Sequence, residues 1–151
     1  ISMDDEELLD QFINAEEPRY YNKQRLTRQQ RLKTKDKANF QPEDAFMRIG
    51  FNLRQALKKH PPMGMLECLE ERINETFVTN PQTEFVCDDL SSFERLLVHA
   101  LAAYNDLNSH SFDFAGKRLL RVENPHSSFF KRDPGLSSYL ATRPYTLHSS
   151  S

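Results

Sequence analysis

The chain has 151 residues, 38% of them apolar and 28% charged, which allows one modest core with flanking sequence or at most two very small domains. Its net charge of -2 excludes a protein that coats nucleic acid by bulk electrostatics, so any nucleic-acid site has to be local. The two cysteines, Cys68 and Cys87, are too few soft ligands for a structural zinc site and read as reduced thiols in or near a core.

Residues 1–17 carry seven acids and no base, with Leu8, Leu9, Phe12 and Ile13 at helical spacing. This predicts a short acidic amphipathic helix with too little apolar surface to stand alone, hence a docking segment. The start, ISMDDEELLD, is acidic where a secretory leader needs a basic region. Residues 18–39 invert the charge: Arg19, Lys23, Arg25, Arg28, Arg31, Lys33, Lys35 and Lys37 face only Asp36. A solvated linker and a functional basic arm both fit that composition. Such an arm contacts phosphates, directs nuclear import, or pairs with the acids before it.

From residue 40 the pattern turns globular. Pro42, Glu43 and Asp44 suit a helix start, Phe46, Ile49, Leu53 and Leu57 mark one face, and Lys58, Lys59 and His60 close the last turn before Pro61 and Pro62. The expectation is one accessory helix. MGMLECLEERINETF repeats the pattern with Leu66, Leu69, Ile73 and Phe77 and stops before Asn80-Pro81. TEFVC reads as a short extended segment.

The helix SSFERLLVHALAAYNDL follows. Ser91 or Ser92 supplies its N-cap, with Glu94 placed for a capping-box variant. At about 100° per residue, Phe93, Leu96, Leu97, Ala100, Leu101 and Tyr104 cluster on one side. Arg95 lies opposite, and His99 one turn on, so the two are expected to project together from the solvent face. Arg brings a planar fork of donors that matches phosphate. Imidazole brings a charge that appears as pH falls through about 6.5, and a bound phosphate is expected to raise that value. The longest apolar run, Leu96 to Tyr104, contains His99 and is too short to span a bilayer, so no membrane partner is expected. SHSFDF and KRLLRVEN then read as two strands around Ala115-Gly116, with Leu120 and Val122 alternating against Arg121 and Glu123. Phe129, Phe130, a Pro134-Gly135 turn and a short helix at LSSYL complete the chain.

The string Ser-Ser-Phe-Glu-Arg-x-x-x-His, a small and aromatic-containing helix end, a Leu-Asn-Ser-x-Ser-Phe strand start and Gly-Lys-Arg before a second strand resembles the family named for its Arg-x-x-x-His motif, the R-three-H domain. The resemblance covers roughly residues 65–125. The flanking PEDAFMRIGFNLRQALK and LSSYL also resemble one subfamily, the R-three-H domain-containing protein four type. It implies an α+β fold: a small antiparallel three-stranded sheet with two helices on one face, here preceded by an extra helix and a charged N-terminal extension. The expected organisation is a charged extension over 1–39, an accessory helix over 40–62, the R-three-H-like domain over 63–126 and a tail over 127–151.

The resemblance implies binding of single-stranded RNA or DNA, with Arg95 and His99 as the motif pair and Lys117 and Arg118 as basic positions at the strand start. Arg121, outward by alternation, extends the patch. Residues 91–132 hold only six bases against four acids, which predicts weak, salt-dependent binding aided by the arm at 19–37. Phe112, Phe114, Phe129 and Phe130 are candidates for stacking on bases, though a core would also use them. The alternative is a protein-interaction scaffold that keeps the fold and docks a protein partner through residues 1–60. No cofactor, metal ligand set, paired nucleophile or glycine-rich phosphate loop is evident, so an enzyme is not expected. The five histidines show no ligand spacing and read as surface residues. A nuclear location is expected, with the cytoplasm as alternative. The opening Ile and closing serines are those expected of a fragment of a longer chain.

Overall fold

The computed structural model describes residues 37–59 and 61–142. The acidic helix expected over 1–17, nearly all of the basic stretch after it, His60 and residues 143–151 lie outside that range. No helix among the described residues is long and apolar enough to cross a membrane.

After a 3-10 turn at Lys37–Asn39 come α1 (Pro42–Met47) and α2 (Phe51–Lys59). The accessory helix is therefore two helices, not one. The backbone tightens at its middle, where the N–H groups of Arg48 and Ile49 donate three residues back to Ala45 and Phe46. Gly50 follows, where helix persistence is weakest. The break frees Arg48 to reach across the core.

Helix α3 (Met63–Thr79) buries Leu66, Leu69, Ile73 and Phe77 on one stripe, as its apolar spacing predicts. Strand β1 (Glu84–Cys87), helix α4 (Ser92–Tyr104), strands β2 (Asn108–Phe114) and β3 (Lys117–Glu123), and helix α5 (Leu136–Thr142) follow. The sheet is antiparallel in the order β1-β3-β2, with Phe85 opposite Val122 and Ser109 opposite Val122 from the other side. Helix α3 packs near β1 and α4 against β2, which gives the expected α+β layers. Behind them α1 packs on α4, and α5 packs on α3 and α1. One apolar cluster joins all five helices and the sheet, with Phe46, Leu66, Phe77, Leu97, Leu120 and Leu136 among its buried members.

Two buried charges organise this core. Arg48 donates from Nε to the Ala103 carbonyl at 2.7 Å and from Nη2 to that of Tyr104, satisfying carbonyls at the C-terminal end of α4. Glu70, on α3, accepts the backbone N–H groups of Leu136 and Ser137 and the Ser137 hydroxyl, which anchors the start of α5. Helix α4 ends in a Schellman-type turn: Asp106 takes the left-handed conformation (φ 58°) and the Leu107 N–H reaches the Ala102 carbonyl at 2.8 Å. That turn sends β2 straight back across α4. Ala115 (φ 53°) and Gly116 (φ 79°) form the two-residue turn into β3.

Candidate nucleic-acid interface

The register divides the sheet into two faces. Phe85, Cys87, Ser109, Ser111, Arg118, Leu120 and Val122 share the helix-covered face. Val86, His110, Phe112, Phe114, Lys117, Leu119 and Arg121 share the other, which no described element covers. The five residues expected to form one patch are therefore split. Arg95, His99 and Arg118 sit on the helix side, and Lys117 and Arg121 on the open side.

On the helix side, Ser91 is the N-cap and its hydroxyl accepts the Glu94 N–H at 3.1 Å while Glu94 returns a carboxylate to the Ser91 N–H at 2.8 Å. This capping box fixes the first turn and with it Arg95. The Arg95 guanidinium donates to the Leu90 carbonyl and to the Ser92 hydroxyl, both at 2.9 Å. Its Nε is shielded from water and has no hydrogen-bond partner. No carboxylate pairs with Arg95 among the described residues.

His99 corrects the expectation of a solvent-facing pair. It is 1% exposed, because α4 is held between β2 on this side and α1 and α3 on others, and every residue from Leu96 to Tyr104 is buried. Its ring bridges two serines of β2, Nδ1 to Ser109 Oγ at 2.6 Å and Nε2 to Ser111 Oγ at 3.2 Å. Burial, reinforced by the positive charges of Arg95 and Arg118, pushes its pKa down from 6.5 to about 3. With that shift the imidazole is neutral at physiological pH. One ring nitrogen donates and the other accepts, so the two hydroxyls are polarised in a fixed direction.

The sequence carries two signals of this burial. Val98, Ala102 and Ala103 flank His99 on the supposed polar face, and all three are buried. Ser109 and Ser111, two apart, necessarily share a strand face.

On the open side Phe114 is 66% exposed and Phe112 is half-buried. The Arg121 guanidinium lies 5.0 Å from the Phe112 ring centre, and the His110 ring 5.8 Å from it. Each sheet cation carries an acidic neighbour: Lys117 has Asp88 at 3.5 Å, Arg118 has Asp113 at 3.3 Å and Arg121 has Glu84 at 3.7 Å. Phe129 and Phe130 belong elsewhere, packed on Phe77 and Phe40 and flanking the buried Arg132. Of the thiols Cys87 is buried, which raises its pKa, whereas Cys68 is exposed rather than in the core. Of the other described histidines, His110 is exposed and His126 is half-buried against Asp106 at 2.8 Å.

The family model of the R-three-H domain matches residues 65–123, from α3 to the end of β3, a segment that includes Arg95 and His99. This segment is an R-three-H domain. No solved structure matches the chain. R-three-H domains are in general single-stranded nucleic-acid-binding modules. The matched segment holds β1, β2, β3, α3 and α4, while α1, α2 and α5 pack onto it from outside the match.

Proposed function

We propose that this chain binds single-stranded RNA or DNA through both faces of the β2–β3 hairpin. The observation that carries the reading is the uncovered sheet face, where Phe114 and Phe112 stand two apart with Arg121 over the second ring. Bases stack on these rings, each worth about 1–3 kcal/mol, and Lys117 and Arg121 meet the backbone between them. On the helix side Arg95 and Arg118 take a phosphate. His99 is a positioning residue there: with its proton on Nε2 it donates to Ser111 and accepts from Ser109, leaving the Ser111 O–H free to donate to a phosphate oxygen.

The acids beside Lys117, Arg118 and Arg121 are exposed, and such pairs exchange cheaply for a phosphate because they are worth about 1 kcal/mol or less. With two or three phosphates neutralised, log K is expected to fall with log salt at a slope of about -1.4 to -2.1. Anisotropy titration of the full chain with labelled single-stranded RNA and DNA, at low and physiological salt, tests this. Salt-dependent binding that Phe114→Ala and Arg95→Ala each weaken supports the reading. Retention of full affinity by both variants removes these surfaces from it.

A second reading, the interaction scaffold, is favoured by the carboxylate at each sheet cation and by Phe51 and Met47, which are exposed on α1 and α2. Absence of binding to either nucleic acid at low salt, with a protein partner captured through residues 1–60, would select it.

A further inference from the structure

A cavity of about 250 Å³ lies at the end of the sheet away from the Ala115-Gly116 turn, between the C-cap of α4 and the loop that follows β3. Every residue lining it except Asn105 lies beyond the family match, and no carboxylate lines it. The loop is tied down by its own polar groups. Asn124 donates from Nδ2 to the carbonyls of Pro81 at 3.0 Å and Ser128 at 3.1 Å, and its Oδ1 accepts the His126 N–H at 3.0 Å. The His126 ring meets Asp106 at 2.8 Å, and Gln82 donates to the His126 carbonyl at 3.0 Å. The cavity is therefore pre-formed.

One wall is built of planar groups. The Arg132 guanidinium lies 3.9 Å from the centre of the Phe130 ring and 5.4 Å from that of Phe129. Aromatic rings and guanidinium planes are the surfaces on which unpaired bases stack. Ser127 and Ser128, both exposed, form the rim. Asn105 is 2% exposed. Its Nδ2 donates to the Leu101 carbonyl at 2.8 Å, and among the described residues nothing donates to its amide oxygen. A buried amide with an unmet oxygen and a second N–H suits a flat ligand that offers a donor beside an acceptor. Adenine carries that pair, an amino group beside a ring nitrogen, and is the usual bidentate partner of asparagine. The volume falls below that of drug-sized ligand sites, about 300–1,000 Å³, and suits one base.

We propose that this cavity takes an unpaired adenine, with its amino group on Asn105 Oδ1 and its ring against the wall of Phe129, Phe130 and Arg132. The inference rests on the single-strand reading for the source of the base. Strand β3 runs from Arg121 to Asn124 in three residues, about 10 Å of extended chain, so a strand crossing Arg121 reaches the cavity.

Amide NMR of the full chain, titrated with adenosine monophosphate and with purine riboside monophosphate, tests the pocket. The second nucleotide lacks only the amino group. Signals of Asn105 and of residues 124–132 should shift, and the amino-bearing nucleotide should bind about tenfold more tightly, because its analogue leaves a buried acceptor unmet. Asn105→Ala should abolish that preference while both nucleotides still bind weakly, which a misfolded chain would not do. Ser127→Trp, made at an exposed position, should fill the cavity and block both. Shifts confined to the hairpin, equal affinity for the two nucleotides, or a preference that survives Asn105→Ala would overturn the proposal. Titration with oligoadenylate separates it from the hairpin reading. Binding weakened by Phe114→Ala but untouched by Ser127→Trp overturns the pocket and keeps the hairpin. Nucleotide binding in the cavity with no binding of strands keeps the pocket and overturns the hairpin.

Discussion

The two faces of the small sheet carry the same kinds of residue and treat them in opposite ways. On the helix side a histidine and two serines form a fixed network, with His99 and Ser109 buried and Arg95 bonded to the start of its own helix. On the open side His110, Phe114 and Lys117 are exposed and Phe112 and Arg121 half-buried, and each cation is matched by a carboxylate at 3.5 or 3.7 Å. The difference teaches that the motif's histidine contributes mainly by holding the edge strand β2 in place, whereas the open face is free to exchange its partners. A buried polar group lost from its network costs its desolvation, and a surface pair lost costs little.

The largest effect should therefore fall on His99. His99→Ala empties a packed site and removes the ring's hydrogen bonds to Ser109 and Ser111, and should lower unfolding stability by about 3 kcal/mol. Arg121→Ala should change it by less than about 1 kcal/mol. Chemical denaturation of both variants checks the contrast. Equal losses would mean that the two faces are not distinct.

Acid sharpens the same contrast. The folded state keeps His99 neutral down to about pH 3, while the unfolded chain takes up that proton near 6.5. The unfolded state binds more protons in between, so this contribution to stability is complete above pH 6.5 and is lost as pH falls toward 3. The slope is about 1.4 kcal/mol per pH unit, or about 2 kcal/mol lost by pH 5. His99→Asn, which keeps hydrogen-bonding groups but does not titrate, should flatten the profile over that window. A profile unchanged by the substitution would show that His99 is protonated in the folded state. For the same reason, His99 itself should contribute no rise in nucleic-acid affinity as pH drops through 6.5.

How far these faces were legible in the sequence follows from what periodicity measures. Helices α3 and α4, the three strands and the Ala115-Gly116 turn come from apolar spacing and turn chemistry, which the core obeys. The burial of His99 does not, because a helix clasped on several sides shows small residues rather than a polar stripe; Val98, Ala102 and Ala103 were that signal. Lys117 and Arg118, adjacent in a strand, could never have shared a face. Arg48 was beyond reach, since its role depends on a helix break at Gly50 and on carbonyls 55 and 56 residues away.

A smaller effect belongs to the open face. Phe114→Ala should leave stability nearly unchanged, because the ring is 66% exposed, yet weaken single-strand binding by about 1–2 kcal/mol. An equal loss in stability would make the ring structural and remove its stacking role.

The smallest effect comes from the carboxylates that neutralise this face. Glu84 lies opposite Glu123 across the β1–β3 ladder, and only Glu84 is in contact with Arg121. Glu84→Gln removes one member of a like-charged cross-strand pair and one exposed ion pair, changes that nearly cancel in stability. It also removes a negative charge that a phosphate at Arg121 would otherwise displace. Affinity for single-stranded RNA or DNA should rise by less than about 1 kcal/mol at low salt and by still less at physiological salt. Paired titrations at the two salt concentrations measure it. Tighter binding places Arg121 in the path of the phosphates; unchanged binding places the path on the helix side, at Arg95 and Arg118.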